Sequence, residues 1–504
     1  MKRASWLGAT LLLSACATLP PHPGAAPAPL PDSRLGLSGP AFTPAPEAWW
    51  RGLGDAQLDR LMSAALQDNP RLAEANARWQ AAQAQAAAAR ATQLPAAQFK
   101  GSEERLKVPQ GFGPYLLGGQ SVWFGSLGAA LSWDPDLWGE HADESAAARR
   151  LAGAAAMDRA EARLLLGGAV MQAYLQLDRA YALEDIAADT EAQRARVVEI
   201  TRRRVIAGLD TRVELREAEG ELPQAHLALL QAQAEEALAR HELAALVGRG
   251  GDFYASIQRP RLNIQALQGL PDELPINLLA RRPDVIAARE RIAAADAQRR
   301  AARAAFYPSV NLSALAGFAS VSLSNLVSAE SFGYGAGPAL SLPIFDGGRL
   351  RAQYRGAQAG LVEAVSSYDD IVLGAVHQAA DQISLIDSLA AQQQQQIQWL
   401  DAAQEAYRLD EERYRAGLST YLSVLNAETD VFNARRTAVE LHHQRASARV
   451  TLLIALGGSF STPGAAASGR GTAAAVPRAG SAGSAGSAVA AQITALHNTF
   501  NTGN

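Results

Sequence analysis

The side chains that could do chemistry are few, and their spacing works against it. Eight histidines occur in 504 residues. His241 opens His241-Glu242-Leu243-Ala244-Ala245, where a zinc-protease helix would need a second histidine one turn on. His442 and His443 are adjacent, so on a helix they point to different sides and share no ligand. Asp134, Asp136 and Glu140 cluster. They flank what reads as a strand-to-helix turn, where carboxylates satisfy a helix N-terminus without any metal. No glycine-rich phosphate loop opens a helix after a strand. A single cysteine allows neither a disulfide nor a cysteine-based metal site within the chain. The expectation is therefore no enzyme, no metal, no cofactor and no energy source of its own.

The one cysteine sits where a modification is expected. Lys2 and Arg3 precede an apolar run from Trp6 to Leu13, followed by Ser14-Ala15-Cys16. That run is too short to span a membrane. It reads as a secretory signal over residues 1–15. Its end resembles the bacterial lipoprotein signal, in which the cysteine becomes the acylated mature N-terminus. The alternative is an ordinary signal peptide with an incidental cysteine. Ala17, rather than an Asp, follows Cys16, which favours the outer membrane. Residues 16–48 then form the acylated N-terminus and a Pro-rich tether.

What must position any working residue is a duplication. Arg204-Val205-Ile206-Ala207-Gly208-Leu209-Asp210-Thr211 returns as Arg413-Tyr414-Arg415-Ala416-Gly417-Leu418-Ser419-Thr420, an offset of 209. The same offset pairs Gly139 with Gly348 and Gly248 with Gly457. Near the start of each half the offset is 213, pairing Pro70 with Pro283 and Pro95 with Pro308. A surface loop between Pro95 and Gly139 absorbs the difference at little cost. The boundaries follow: a first repeat over 49–248, a linker over 249–271 and a second repeat over 272–458. The Gly/Ala/Ser-rich tail over 459–504 reads as disordered. A net charge of −4 gives no basic field for nucleic acid.

Each repeat carries a strand pair, over about 96–133 and 309–344. Phe332, Tyr334, Ala336, Pro338, Leu340 and Leu342 alternate with Gly333, Gly335, Gly337, Ala339 and Ser341. Val310, Leu312, Ala314, Ala316 and Phe318 form a second apolar face of period two. Trp123, Leu127, Ala129, Leu131 and Trp133 repeat it in the first half, and Glu103 interrupts it. Runs of this length suit tilted membrane strands, and the Gly/Ser face suits a lumen better than a wet sandwich face. Four strands cannot close a barrel, and open edges are forbidden in lipid, so several copies must pool their strands.

The rest is helical. Asp55 to Asn69 is a short amphipathic helix, and Leu72 to Leu94 and Asp284 to Tyr307 are copies of one another. No Pro interrupts Gly139 to Ala207 or Gly348 to Ala416, two helices of about 67 residues, or on the order of 100 Å. Leu164, Met171, Leu175, Ala182, Ile186, Val197 and Ile200 mark a coiled-coil seam. Thr211 to Val247 and Thr420 to Leu456 return, with Asp210, Ser419 or the neighbouring Thr as caps. Pro223 should kink its helix or delay its start. Gln392 to Gln396 read as a solvated face. A shorter helix plus a returning one nearly equals a long one, so the two can stack end to end beside it. The fold class is mainly α with a membrane β-barrel.

Several runs together resemble the TolC-like outer-membrane factors, in the NodT-type lipoprotein subgroup of resistance-nodulation-division (RND) efflux systems. They are Leu279-Ala280-Arg281-Arg282-Pro283-Asp284-Val285, Ala304-Ala305-Phe306-Tyr307-Pro308, Leu342-Pro343-Ile344-Phe345-Asp346-Gly347-Gly348 and Asp136-Leu137-Trp138-Gly139. The resemblance covers about Trp49 to Gly457. It implies a homotrimer with a 12-strand outer-membrane barrel and a 12-helix periplasmic tunnel, the passive exit duct of a tripartite pump. The implied partners are a periplasmic adaptor protein, an inner-membrane RND transporter and outer-membrane lipid. The tips Ala207-Gly208-Leu209 and Ala416-Gly417-Leu418 would dock on the adaptor. Leu422 and Asn426, with Val213 and Glu217 in the paired helix, match the periplasmic constriction of relatives. Relatives often carry Asp where this chain has Asn426; Glu217, Glu219 and Glu221 offer negative charge instead, or form a solvated face. Leu422 fits an apolar plug or a coiled-coil core position. A type I protein-secretion duct, a heavy-metal efflux duct and a non-conducting envelope bridge are the other readings.

Overall fold

The computed structural model describes residues 28–43, 45–109, 119–264 and 270–460, and everything below concerns these. Cys16, the signal and all but the first two residues of the tail lie outside them. Helix α1 spans Ala56–Asp68; the Asp55 side chain accepts from the Gln57 and Leu58 N–H groups at its start, and Leu58, Leu61, Met62 and Ala65 are buried. Helices α2 (Pro70–Ala91) and α5 (Pro283–Ala304) each carry a proline in the first turn, where its missing N–H costs nothing. The long helices α3 (Glu140–Ile206) and α6 (Arg349–Arg415) are 67 residues each. The returning helices α4 (Arg212–Val247) and α7 (Tyr421–Ala455) have 36 and 35.

The helices form four columns. Helices α2 and α4 share the first, α3 is the second, α5 and α7 share the third, and α6 is the fourth. The joint inside each shared column is made by equivalent residues. Asn69 Nδ2 donates to the Leu246 carbonyl at 2.7 Å where α4 meets α2. Arg282 donates to the Ala455 carbonyl at 3.0 Å where α7 meets α5. Arg282 also pairs with Asp284 at 2.7 Å, so this Asp has a structural partner as well as a helix start. The two outer columns differ from the inner ones. Helix α5, between α3 and α6, buries nine residues, whereas α2 buries none.

Four strands, β1 (Ala96–Lys107), β2 (Ser121–Trp133), β3 (Ser309–Ser320) and β4 (Phe332–Ser341), form one antiparallel sheet in sequence order. The register aligns the apolar faces across the sheet: Phe99 opposes Ala129, Leu131 opposes Ala314, and Phe318 opposes Phe332. The other face is laced by small polar groups, with Ser102 and Ser126 hydroxyls 2.9 Å apart and Asn311 donating to Ser132 at 3.1 Å. Aromatics gather at both ends of the apolar face. Phe318 and Phe332 rings meet edge-on at 5.5 Å, and at the helix end Trp133 donates to the Gln93 carbonyl at 3.1 Å. Next to it Trp138 stacks on Tyr307 at 4.9 Å. The strand β1 continues through Glu103, and Arg105 on the same face lies over the Trp123 ring at 5.6 Å. Among the described residues no helix is long and apolar enough to cross a membrane.

One alternative is settled and one expectation needs correction. Pro223 does not delay its helix: α4 starts at Arg212 and contains Pro223. Its ring sits three turns in, and the capping box of Thr211 and Glu214 already fixes the start. The glutamine tract is not wholly solvated. Gln396 is buried and donates to the Ala434 carbonyl at 2.6 Å, and Gln393 accepts from Arg445. A helix face turns every 3.6 residues, so five consecutive glutamines cannot all face water beside a packed neighbour. The linker is docked along the first repeat. The Arg261 N–H donates to Asp55 at 2.7 Å, the Asn263 N–H to the Leu53 carbonyl at 3.0 Å, and Tyr254 lies 4.2 Å from the His241 ring. Burial works against ionisation of Asp55, but hydrogen bonds from Tyr174, Arg261, Gln57 and Leu58 outweigh it and hold the carboxyl below its usual range.

Candidate gate at the hairpin tips

The two repeated octapeptides fold into the same turn. Leu209 N–H reaches back to the Arg204 carbonyl at 2.9 Å, and Leu418 N–H to the Arg413 carbonyl at 2.8 Å, both six-to-one bonds that close a helix C-terminus. Gly208 and Gly417 have φ of 71° and 79°, the left-handed region a residue without Cβ enters freely. The caps of the returning helices are the threonines. Thr211 accepts from Val213 N–H in a capping box with Glu214, and Thr420 accepts from Ser423 N–H. Ala207, Gly208, Leu209, Ala416, Gly417 and Leu418 are all exposed, as is Ile206.

With the caps supplied by threonine, Asp210 is free for another role, which sequence reasoning missed. Its carboxylate accepts from Arg204 Nε at 2.8 Å and Nη2 at 3.0 Å, a bidentate pair. The Tyr414 hydroxyl donates to the same carboxylate at 2.7 Å, and Thr201 Oγ1 lies 3.0 Å from that hydroxyl. Arg204 also donates to the Tyr414 carbonyl at 2.6 Å and lies 4.3 Å above the Tyr414 ring. Tyr414 ends α6, so these contacts latch the first hairpin to the base of the second. The Arg204 hydrogen bonds hold the Asp210 carboxyl below its usual range despite burial. Burial, with Asp210 beside it, pushes the Tyr414 phenol up to about 12.

Below the latch an apolar plug joins all four helices: Val197 and Val198 of α3, Ala218 of α4, Tyr414 of α6, and Tyr421 and Val424 of α7. One layer further in, Arg194 lies between Glu428 at 3.3 Å and Glu221 at 3.6 Å. Glu428 is 2% exposed, and burial raises its carboxyl above the usual range although Arg194 opposes the shift.

The four residues matched to a constriction lie in the first two turns of the two returning helices. Val213 and Glu217 are one turn apart on α4, Leu422 and Asn426 one turn apart on α7, and all four are exposed. Leu422 is 59% exposed, so it is no core position within the protomer. Of the acids at the strand-to-helix turn, Asp136 accepts from His141 and Ala142 N–H groups at 3.2 and 2.7 Å, as a cap does.

Comparison with known proteins places this architecture. The family model described as outer membrane efflux protein matches residues 61–249 and again 274–458, once on each repeat. The fusaric acid resistance protein FusA of Burkholderia cepacia is 39% identical over 320 residues, covering 62% of this chain and 60% of that one. The multidrug resistance outer membrane protein MdtP of Escherichia coli K12 is 31% identical over 473 residues, 90% of this chain and 96% of its own. The crystal structure of the outer membrane protein VceC from Vibrio cholerae superposes with a TM-score of 0.77 at 33% identity, covering 82% of this chain and all of that one. With the internal duplication, the apolar sheet face and the paired helical hairpins all in place, the chain belongs to the outer membrane efflux protein family and is an outer-membrane channel.

Proposed function

We propose that three copies of this chain form the exit duct of a tripartite, RND-type efflux pump, anchored by acyl chains on Cys16 and docked at its tips on a periplasmic adaptor. The observation that carries the reading is the sheet. Its apolar residues are in register over four strands, yet both β1 and β4 are edges, exposed along their whole length. Hydrocarbon tolerates an apolar face but not an unpaired strand edge, so the sheet is complete only in an oligomer.

The helical columns support the same reading. Helix α2 buries nothing in the protomer while its copy α5 is packed on both sides, which leaves the first column open to a neighbour's fourth. At the far end, Leu209, Leu418 and Ile206 are 64%, 71% and 81% exposed, apolar knobs on a tip that offers an adaptor a docking patch. Val213 and Leu422 are 63% and 59% exposed, and three copies would bring six such apolar side chains towards one axis. The Arg204–Asp210–Tyr414 latch holds the second hairpin to the first and thereby keeps this ring narrow. The duct supplies a path, and the pump supplies the energy and the choice of cargo.

The test is reconstitution with a genetic counterpart. Purified full-length protein should have the mass of three chains and conduct ions in planar bilayers, and disrupting its gene should sensitise cells to dyes, detergents and antibiotics. A monomer that conducts nothing, with susceptibility unchanged, would overturn the reading.

A further inference from the structure

The duplication fixes more than the shape of one chain. Adding 213 to the ends of β1, Ala96 and Lys107, gives the ends of β3, Ser309 and Ser320. Adding 209 to β2 gives residues 330–342, a span that contains β4. The hairpin registers obey both offsets at once. In the first hairpin Ala96 opposes Ser132, and its two images, Ser309 and Ser341, oppose one another in the second. The symmetry therefore holds to the residue, and a third junction can be read from it. Within the chain, β2 pairs with β3 so that opposed numbers add to 445, as in Gly128 with Gly317.

We propose that β4 pairs antiparallel with β1 of a second copy at the symmetry-related register, in which opposed residue numbers add to 441. Moving β2 on by 209 and β3 back by 213 lowers the sum by four. Ala339 then opposes the partner's Ser102, Gly337 the partner's Glu104, Ser341 the partner's Lys100 and Leu340 the partner's Gly101. This rests on the oligomeric reading above and goes beyond it by assigning each contact.

Two independent features agree with the assignment. Faces match: in β4 the even positions are apolar and in β1 the odd ones, and an odd sum always sets one against the other. Space matches as well. A Cβ on Gly128 or Gly317 would run into the opposite backbone at 3.0 Å or less, so the internal junction bends sharply on a glycine pair. At the subunit junction the equivalent pair is Gly337 and Glu104, a glycine opposite one side chain. One glycine there admits one side chain, where the internal junction admits none. The assignment has a functional consequence. Lys100 and Glu104 are the only charged residues on the Gly/Ser face of the four strands. The register sets both at the subunit seams, the partner's Lys100 opposite Ser341 and the partner's Glu104 opposite Gly337. Charged cargo would meet a complete site only where two copies join.

Disulfide trapping in the full-length protein tests the register. Opposed Cβ atoms lie within disulfide reach, whereas a shift of two residues moves them apart. The Ser102→Cys/Ala339→Cys variant should oxidise to a covalent trimer roughly tenfold more than Ser102→Cys/Gly337→Cys or Ser102→Cys/Ser341→Cys. Gly101→Cys/Leu340→Cys should do the same on the opposite face, which guards against misfolding of the first variant. Trapping that favours a shifted pair, or none in a protein of trimeric native mass, overturns the register and leaves the trimer standing. A monomeric native mass overturns both.

Discussion

The two hairpin tips share a sequence pattern and a backbone turn, and they differ in what holds them. In the first, Arg204 is buried and bound bidentately to Asp210 beneath Tyr414. In the second, the equivalent arginine, Arg413, is exposed, and its ion pair with Asp410 is 3.8 Å long. The cause is legible at two positions. Ser419 stands where the first tip has Asp210, and the tyrosine that roofs the pocket, Tyr414, is Val205 in the other copy. Duplication preserved the turn, which depends on backbone and glycine. Side-chain divergence made one tip a fixed post and the other a member tied to it.

The largest effect should come from removing the acid at the first tip. Asp210→Ala leaves Arg204 buried with one carbonyl partner and frees the Tyr414 hydroxyl. Loss of a buried charged hydrogen-bond partner costs roughly 2–4 kcal/mol locally. That loss should be felt as loosening of the second hairpin, so single-channel conductance should rise several-fold with the trimer intact. Conductance equal to wild type would show that the latch does not set the aperture.

Tyr414→Phe should do less. The ring over Arg204 stays, and the carbonyl bond with it, but the hydroxyl bonds to Asp210 and Thr201 go. The bond to the Asp210 carboxylate contributes about 1.5–3 kcal/mol, but its loss leaves the Arg204–Asp210 pair intact, so the conductance change should be smaller than that of Asp210→Ala. The reverse ranking would mean that the aromatic roof, rather than the ion pair, is the restraint.

Acid should tighten the tips before it opens them. The folded pKa of Asp210 lies below 3.8, so its stabilisation is present above that value and is lost only as pH falls through the lowered folded pKa. Glu428 runs the other way. Its folded pKa lies above 4.5, so ionised Glu428 costs stability at neutral pH, and protonation on the way down relieves the cost. Conductance should therefore be level or falling from pH 8 to about 5 and rise only below about 4. Opening between those values in wild type, but not in Glu428→Gln, would reverse the role assigned to the buried glutamate.

How much of this the chain discloses before folding depends on range. The duplication, the four strands, their apolar faces and both 67-residue helices follow from local periodicity and from glycine and proline offsets. The threonine caps were among the local options. The latch was not legible, because Arg204 and Tyr414 are 210 positions apart and meet only when the two hairpins pack side by side. Its traces in the sequence are the mismatches of Asp210 with Ser419 and of Tyr414 with Val205 inside a repeated turn. Leu422 could not be assigned to core or surface by spacing, since a helix between two neighbours has apolar positions on more than one face. Its exposure settles the question within the protomer.

The smallest effect should come from making the second tip resemble the first. Ser419→Asp places a carboxylate six residues after Arg413, the spacing that works in the first copy. Arg413, however, is in water, where an ion pair contributes at most about 1 kcal/mol. Val205, the counterpart of Tyr414, supplies neither a ring to lie over the guanidinium nor a hydroxyl to bind the acid. The new acid should leave conductance within error of wild type. If it instead narrows the channel, an acid in the turn suffices for a latch, and the burial supplied by Tyr414 is not the ingredient that separates the two tips.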